Sequence, residues 1–329
     1  MKIYLPANAI IIPINRDGKV YYFFLDTGFP SSFSKDLNLV NNISNKDIHI
    51  RQKFNLPLSK APIDVSSLSQ HLMMDLTGFL GMDFVSQFDN FKINFRTREL
   101  DFNVDAFTSD LELGLVYTNP FLAVDLSVDS PDNFGNCLVD TGTYQSIFFD
   151  KSTIGGGHLK SNGWKFPWAL GTMIIDFYAG VEAHSRSGSL GKFVFGCPTN
   201  LPPMPFDSVL GLNILSQYEC CFNLNKRQLQ LKTNQRDFRY GADLTEDMHT
   251  VGVQVIFNGE NLCVSNVLPG FSPAAIGLND TLQLPNIDLN APEAVNGVCE
   301  ALSSKGCAKD INVSVNGSDI AVRTSKLFR

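Results

Sequence analysis

Two aspartates, each followed by threonine and glycine, stand out among the residues able to do chemistry: Asp26-Thr27-Gly28 and Asp140-Thr141-Gly142. Each ends an apolar run, Val20-Tyr21-Tyr22-Phe23-Phe24-Leu25 before the first and Cys137-Leu138-Val139 before the second. Runs of this kind predict strands, so each carboxylate is expected on rigid backbone at a strand end. Two like charges held face to face cannot both ionise, so such a pair keeps one proton between them. A shared proton supplies a general acid and a general base together, which hydrolysis of an amide by water requires.

One such triplet is also an ordinary turn signal. A second repeat makes turns alone an insufficient account. The segment Phe79-Leu80-Gly81-Met82-Asp83-Phe84-Val85-Ser86-Gln87-Phe88-Asp89 reads, position by position, against Val209-Leu210-Gly211-Leu212-Asn213-Ile214-Leu215-Ser216-Gln217-Tyr218-Glu219. Each copy runs on into a strand, a turn (Asn94 to Leu100, Asn223 to Leu229) and a strand. The triplets are 114 residues apart and the two glycines 130, so the second copy carries 16 more residues in its middle. Internal duplication of this order, with short strands punctuated by Gly, Asn, Asp and Pro, predicts a mainly β protein of two related lobes.

On these residues the chain resembles the pepsin/retropepsin superfamily of aspartic proteases over roughly residues 8 to 232. The resemblance implies a two-lobed retropepsin-like acid protease fold with pseudo-two-fold symmetry. It implies that Asp26 and Asp140 are the catalytic dyad and that Gly28 and Gly142 permit tight turns. Thr27 and Thr141 would donate hydrogen bonds across the two-fold. The residue after the triplet is usually small or hydroxylated in that family; Thr143 fits as a supporting residue and Phe29 does not. Phe29 is expected either to narrow one side of the site or to turn into the core. The flap over the substrate is expected around 48–57 in the first half or 172–183 in the second, with Tyr178 as its aromatic or as plain packing. Because one chain carries both triplets, a monomer is expected to hold a complete site.

Composition fits a chain with a sizeable core: 44% of residues are hydrophobic and 18% charged. A net charge of −7 with no Lys/Arg stripe argues against a nucleic-acid partner. No apolar run reaches the ~18 residues of a membrane span. The interrupted start at Pro6, Asn8 and Pro13 shows no secretory signal, so a cytoplasmic location is expected, or a periplasmic or secreted one if a leader has been trimmed away. Seven cysteines without C-x-x-C spacing read as thiols in a reducing compartment, and five scattered histidines give no zinc pattern. Gly188 to Lys192 is too short for a phosphate loop, and no G-x-S-x-G elbow appears. Neither a metal nor an organic cofactor is expected.

The pattern changes after about residue 240. A helix is predicted over Pro292 to Ser303, and two strands, Ile311 to Val315 and Asp319 to Arg323, joined by the hairpin signal Asn316-Gly317. The loop Thr250-Val251-Gly252-Val253, the run Pro269-Gly270-Phe271-Ser272-Pro273-Ala274-Ala275, Gly277-Leu278, Asp280 and the late helix resemble a bacterial-type PDZ domain. Asn279 stands where a glycine is usual and tolerates left-handed backbone. That resemblance implies a small α+β domain in which Val251, Gly252 and Val253 receive a peptide, its C-terminal carboxylate included.

The expected organisation is a first protease lobe over 1–110, a second over 111–238 and a PDZ-like domain over 243–329. The expected function is an aspartic endopeptidase acting on peptides or proteins, with the last domain selecting or tethering substrate. The competing expectation is a catalytically silent adaptor that binds peptides through the cleft and the PDZ-like groove.

Overall fold

The structure is a computed structural model. It describes residues 1–329 apart from 37–38, 40–42, 49–53, 157, 169–170, 202–203, 234–243, 272–275 and 329. The architecture is mainly β and two-lobed.

Each lobe builds the same parallel pair. In the first, strand Lys19–Leu25 runs beside Leu76–Leu80, with Leu25 opposite Leu80. In the second, Gly135–Val139 runs beside Ser208–Leu210, with Val139 opposite Leu210. These are the apolar runs before each triplet and before each glycine of the duplicated segment. Both faces of the parallel pairs are covered, which is why they read as continuous apolar runs and do not alternate. A short antiparallel strand then crosses each pair: Phe33–Ser34, with Phe33 opposite Phe79, and Ile147–Phe148, with Ile147 opposite Val209.

The lobes join through their hairpins. Strands Asn90–Asn94 and Glu99–Phe102 form one, Tyr218–Asn223 and Gln228–Thr233 the other, and the strands Asn90–Asn94 and Tyr218–Asn223 pair antiparallel. Lys92 lies opposite Cys221 and Phe91 opposite Phe222. The offset that carries Gly81 onto Gly211 also carries Phe91 onto Cys221 and Lys92 onto Phe222, so these two pairs exchange under a two-fold rotation. The Phe91 and Phe222 rings stack at 4.3 Å beside that axis. One hydrophobic core, including Leu25, Leu80, Phe91, Val139, Leu210 and Phe222, spans both lobes.

The variable middles differ. In the first lobe the described part holds short strands and the helix Ser66–Leu72. In the second it holds a long hairpin, Leu159–Trp168 with Gly171–Ser185, whose second arm also pairs with Gly188–Pro198. The region expected as a first-lobe flap overlaps 49–53, outside the described residues. The second-lobe candidate, 172–183, lies in the long hairpin. Tyr178 is buried there against Phe148, with Lys160 over its ring, so it is a packing residue.

The late residues form a third unit. A five-stranded sheet runs in the order Val253–Phe257, Leu262–Val267, Thr281–Gln283, Asp310–Val315, Ser318–Arg323. The helix Ala294–Ala301 buries Val295 and Val298 against it. Asn316 and Gly317 both take positive φ, as a two-residue hairpin turn with right-handed strand twist requires. This unit packs on both lobes. Glu293 accepts the Leu5 N–H and an Arg98 hydrogen bond, and the Asn296 amide pairs with Ala7 N–H and Leu5 C=O. Met73, left-handed at the end of helix Ser66–Leu72, buries its side chain in the third unit's core. That burial alone is worth about 1.5–3 kcal/mol. Among the described residues no helix is long and apolar enough to cross a membrane.

Candidate active site

The two triplet loops meet on the two-fold and interlock. Thr27 N–H donates to Thr141 Oγ1 at 3.1 Å, and Thr141 N–H donates to Thr27 Oγ1 at 3.0 Å. The Thr27 hydroxyl donates onward to Val139 C=O at 2.8 Å and the Thr141 hydroxyl to Leu25 C=O at 2.9 Å. Both threonines are fully buried, so these four bonds have no water competing for them. Each loop is thereby tied to the last residues of the opposite lobe's parallel strand.

Behind each loop lies a second matched network. Gly81 N–H donates to Ser32 Oγ and Gly211 N–H to Ser146 Oγ, both at 2.9 Å. Asp83 accepts from Ser32 N–H and Oγ–H at 2.8 and 2.6 Å; Asn213 Oδ1 accepts from Ser146 N–H and Oγ–H, both at 2.7 Å. The aspartate N–H groups donate to Leu80 and Leu210 carbonyls. Sequence reasoning did not single out Ser32, Ser146, Asp83 or Asn213. The signal was present: a serine six residues after each aspartate, and an amide or carboxylate two residues after each duplicated glycine.

This framework brings Asp26 and Asp140 within hydrogen-bonding reach of each other. A Cβ added at Gly28 would collide with the Asp140 carboxylate, and one at Gly142 with that of Asp26. Glycine is required here for close approach of backbone to the opposing side chain. Burial, then the adjacent charge of Asp140 and the hydrogen bond to it, push the Asp26 carboxyl well above the usual aspartate range. The N–H groups of Gly28 and Phe29 pull the other way without reversing the shift.

The two carboxylates are not equivalently held. Gly28 N–H donates to Asp26 at 2.9 Å, and Gly142 N–H donates to Asp140 at 2.7 Å. Asp140 also accepts the Thr143 hydroxyl at 2.6 Å. Phe29 at the matching position has no hydroxyl. Its half-buried ring packs on Phe33 and Phe79 at 5.3 and 5.9 Å, against the first lobe's core.

Burial pushes the Cys137 thiol up to about 12, which leaves it protonated at neutral pH.

Val251, Gly252 and Val253 lie far along the chain in the third unit. Val251 and Val253 are buried, Val251 N–H donates to Leu302 C=O, and Gly252 N–H donates to Thr250 Oγ1. Gly252 has φ +79, and a Cβ added there would collide with the Phe271 side chain. The 272–275 run that contributed to the resemblance lies outside the described residues. The third unit also holds the long hairpin: the Gln254 side chain accepts from Lys165 N–H at 2.8 Å and donates to Lys165 C=O at 2.9 Å, and Asn266 donates to Gly163 C=O at 2.9 Å.

No protein-family model matches the chain, and no curated protein is found to match it. Among solved structures, an aspartic proteinase from Irpex lacteus is similar at 10% sequence identity, over 71% of this chain and 96% of that chain, with a TM-score of 0.41.

Proposed function

We propose that this chain is an aspartic-type endopeptidase with Asp26 and Asp140 as its dyad. The observation that carries the reading is the interlock of the two Asp-Thr-Gly loops, which leaves two carboxyl groups in reach of each other with Asp26 held well above its usual range. The proton belongs to the pair. Burial and the neighbouring Asp140 hold the Asp26 carboxyl high, so in this reading Asp26 carries the pair's proton.

An extended peptide lies between the lobes. Asp140 removes a proton from a water molecule, whose oxygen bonds to the scissile carbonyl carbon. Asp26 gives its proton to the carbonyl oxygen, and a tetrahedral diol results. Asp140 then passes the proton it took to the amine nitrogen as the C–N bond breaks, while Asp26 takes one back from the diol. No metal or organic cofactor enters these steps.

The third unit is a PDZ-like domain in this reading, over residues 243–329, and it selects substrate. Its bonds to the long hairpin and its contact with helix Ser66–Leu72 favour selection at the cleft over a loosely tethered module. The internal pairing of the Val251 and Gly252 N–H groups weighs against capture of a peptide carboxylate by those two groups.

A peptide-library cleavage assay across pH, run on the parent, Asp26→Asn and Asp140→Asn, tests the assignment. Cleavage by the parent and by neither variant is expected. Parent-level turnover by either variant refutes the dyad, and none by the parent at any pH refutes the peptidase reading in favour of the silent adaptor.

A further inference from the structure

A cavity of about 290 Å³ lies between the second triplet loop, the long hairpin and the third unit. Gly142 and Thr143 form its edge toward the carboxylates. Trp164 and Phe166 wall it from the hairpin, and Val255 and Cys299 from the third unit. Its lining is largely apolar, and its size is at the lower bound of sites that hold a small ligand.

Among its polar lining residues, which include His71, Thr143, Gln254 and Ser303, Gln145 stands apart. Gln145 lines the cavity and is only 4% exposed, and both its Oε1 and its Nε2 lack a hydrogen-bond partner. A buried amide with neither end paired is costly, and native structures rarely leave one so. It also sits five residues after Asp140, on the loop whose Thr143 bonds that carboxylate. An amide needs a partner that accepts from its N–H and donates to its C=O. A peptide group offers both. A hydrocarbon chain offers neither, and a carboxylate or an ammonium offers one.

We propose that this cavity is a recognition site for an apolar segment of a peptide, whose backbone amide pairs with Gln145 while its side chains fill the space walled by Trp164, Phe166 and the third unit. The proposal rests on the peptidase reading and extends it: the third unit supplies one wall of the substrate site, and Gln145 sets which segment enters. Gln145 is a specificity residue that contacts substrate away from the reacting atoms.

The test separates binding from turnover. In the Asp26→Asn protein, acetyl-Leu-Phe-Leu-amide binding is measured by calorimetry, with and without Gln145→Leu. Binding is expected to weaken about 10-fold on losing a donor and an acceptor bond. The same substitution in the free protein is expected to raise the melting temperature by about 2–4 °C, because it removes an unpaired buried amide. A residue serving only the fold gives the opposite sign. Cys299→Trp, which fills the cavity from the third unit, should abolish binding, whereas Cys299→Ser should not. Unchanged peptide affinity in Gln145→Leu, a lowered melting temperature, or binding of hexadecanoate in place of the peptide each overturns the proposal. Cleavage by the Asp26→Asn protein instead overturns the assignment of Asp26 to the dyad and leaves the binding comparison standing.

Discussion

The two lobes share a hydrogen-bonded frame and differ in what they hang on it. Ser32 with Asp83 and Ser146 with Asn213 make the same bonds behind the two loops, at nearly the same distances. The residue after the triplet differs, Phe29 in one and Thr143 in the other, and so does the middle: a short helix against a long hairpin. The frame is constrained because both loops must meet on one axis. The flanking residues are free to diverge, and their divergence makes the two carboxylates unequal.

The largest test of that comparison is the dyad. Asp26→Asn and Asp140→Asn should each lower peptide cleavage ~10³-fold or more, since an amide of the same shape cannot relay the proton. Stability adds a second readout. Asp26 sits well above its ordinary value of 3.8 in the folded chain. Below that ordinary value it is protonated folded or unfolded and costs nothing. As pH rises, the unfolded chain releases the proton first, so stability is lost until the folded group ionises as well. Asp26→Asn should therefore melt higher than the parent at neutral pH, with the gain vanishing near pH ~3. An equal gain at both would mean that Asp26 is not held protonated.

Next come the frame residues. Asp83→Ala leaves Ser32 without its acceptor, and Asn213→Ala does the same for Ser146. Each should cost about 2–4 kcal/mol in denaturant unfolding. Similar losses in the two variants support equal frames; a loss confined to one would show that only that lobe depends on its network.

The asymmetry itself is smaller. Thr143→Ala removes one hydroxyl bond to Asp140 and should lower kcat about 10-fold, with little change in KM. Phe29→Ala removes only core packing and should lower stability while leaving the pH profile of kcat in place. A shifted profile would place Phe29 in the site.

The smallest effect concerns the third unit. Gln254→Ala removes both bonds to Lys165, at about 1–2 kcal/mol. Hydrogen exchange at the hairpin amides around Lys165 should quicken while the paired strands Asn90–Asn94 and Tyr218–Asn223 stay protected. No change there would mean that the third unit does not restrain the hairpin.

Much was legible in the sequence because it is local or repeated. Apolar runs fixed the strands that carry Asp26 and Asp140, and the duplicated segment predicted two lobes. The Asn316-Gly317 turn lies where its dipeptide placed it, and the helix Ala294–Ala301 falls inside the predicted 292–303. Those readings depend on neighbours a few residues apart, or on one segment seen twice. What the tertiary structure decided depends on residues far apart in the chain. It turned the Phe29 ring toward Phe33 and Phe79, gave Asp140 the extra hydroxyl bond, buried Tyr178, and set the third unit against Met73 and Lys165. It also left Gln145 buried without a partner, since which side chains face a given amide is fixed only when separate strands, hairpin and sheet pack together.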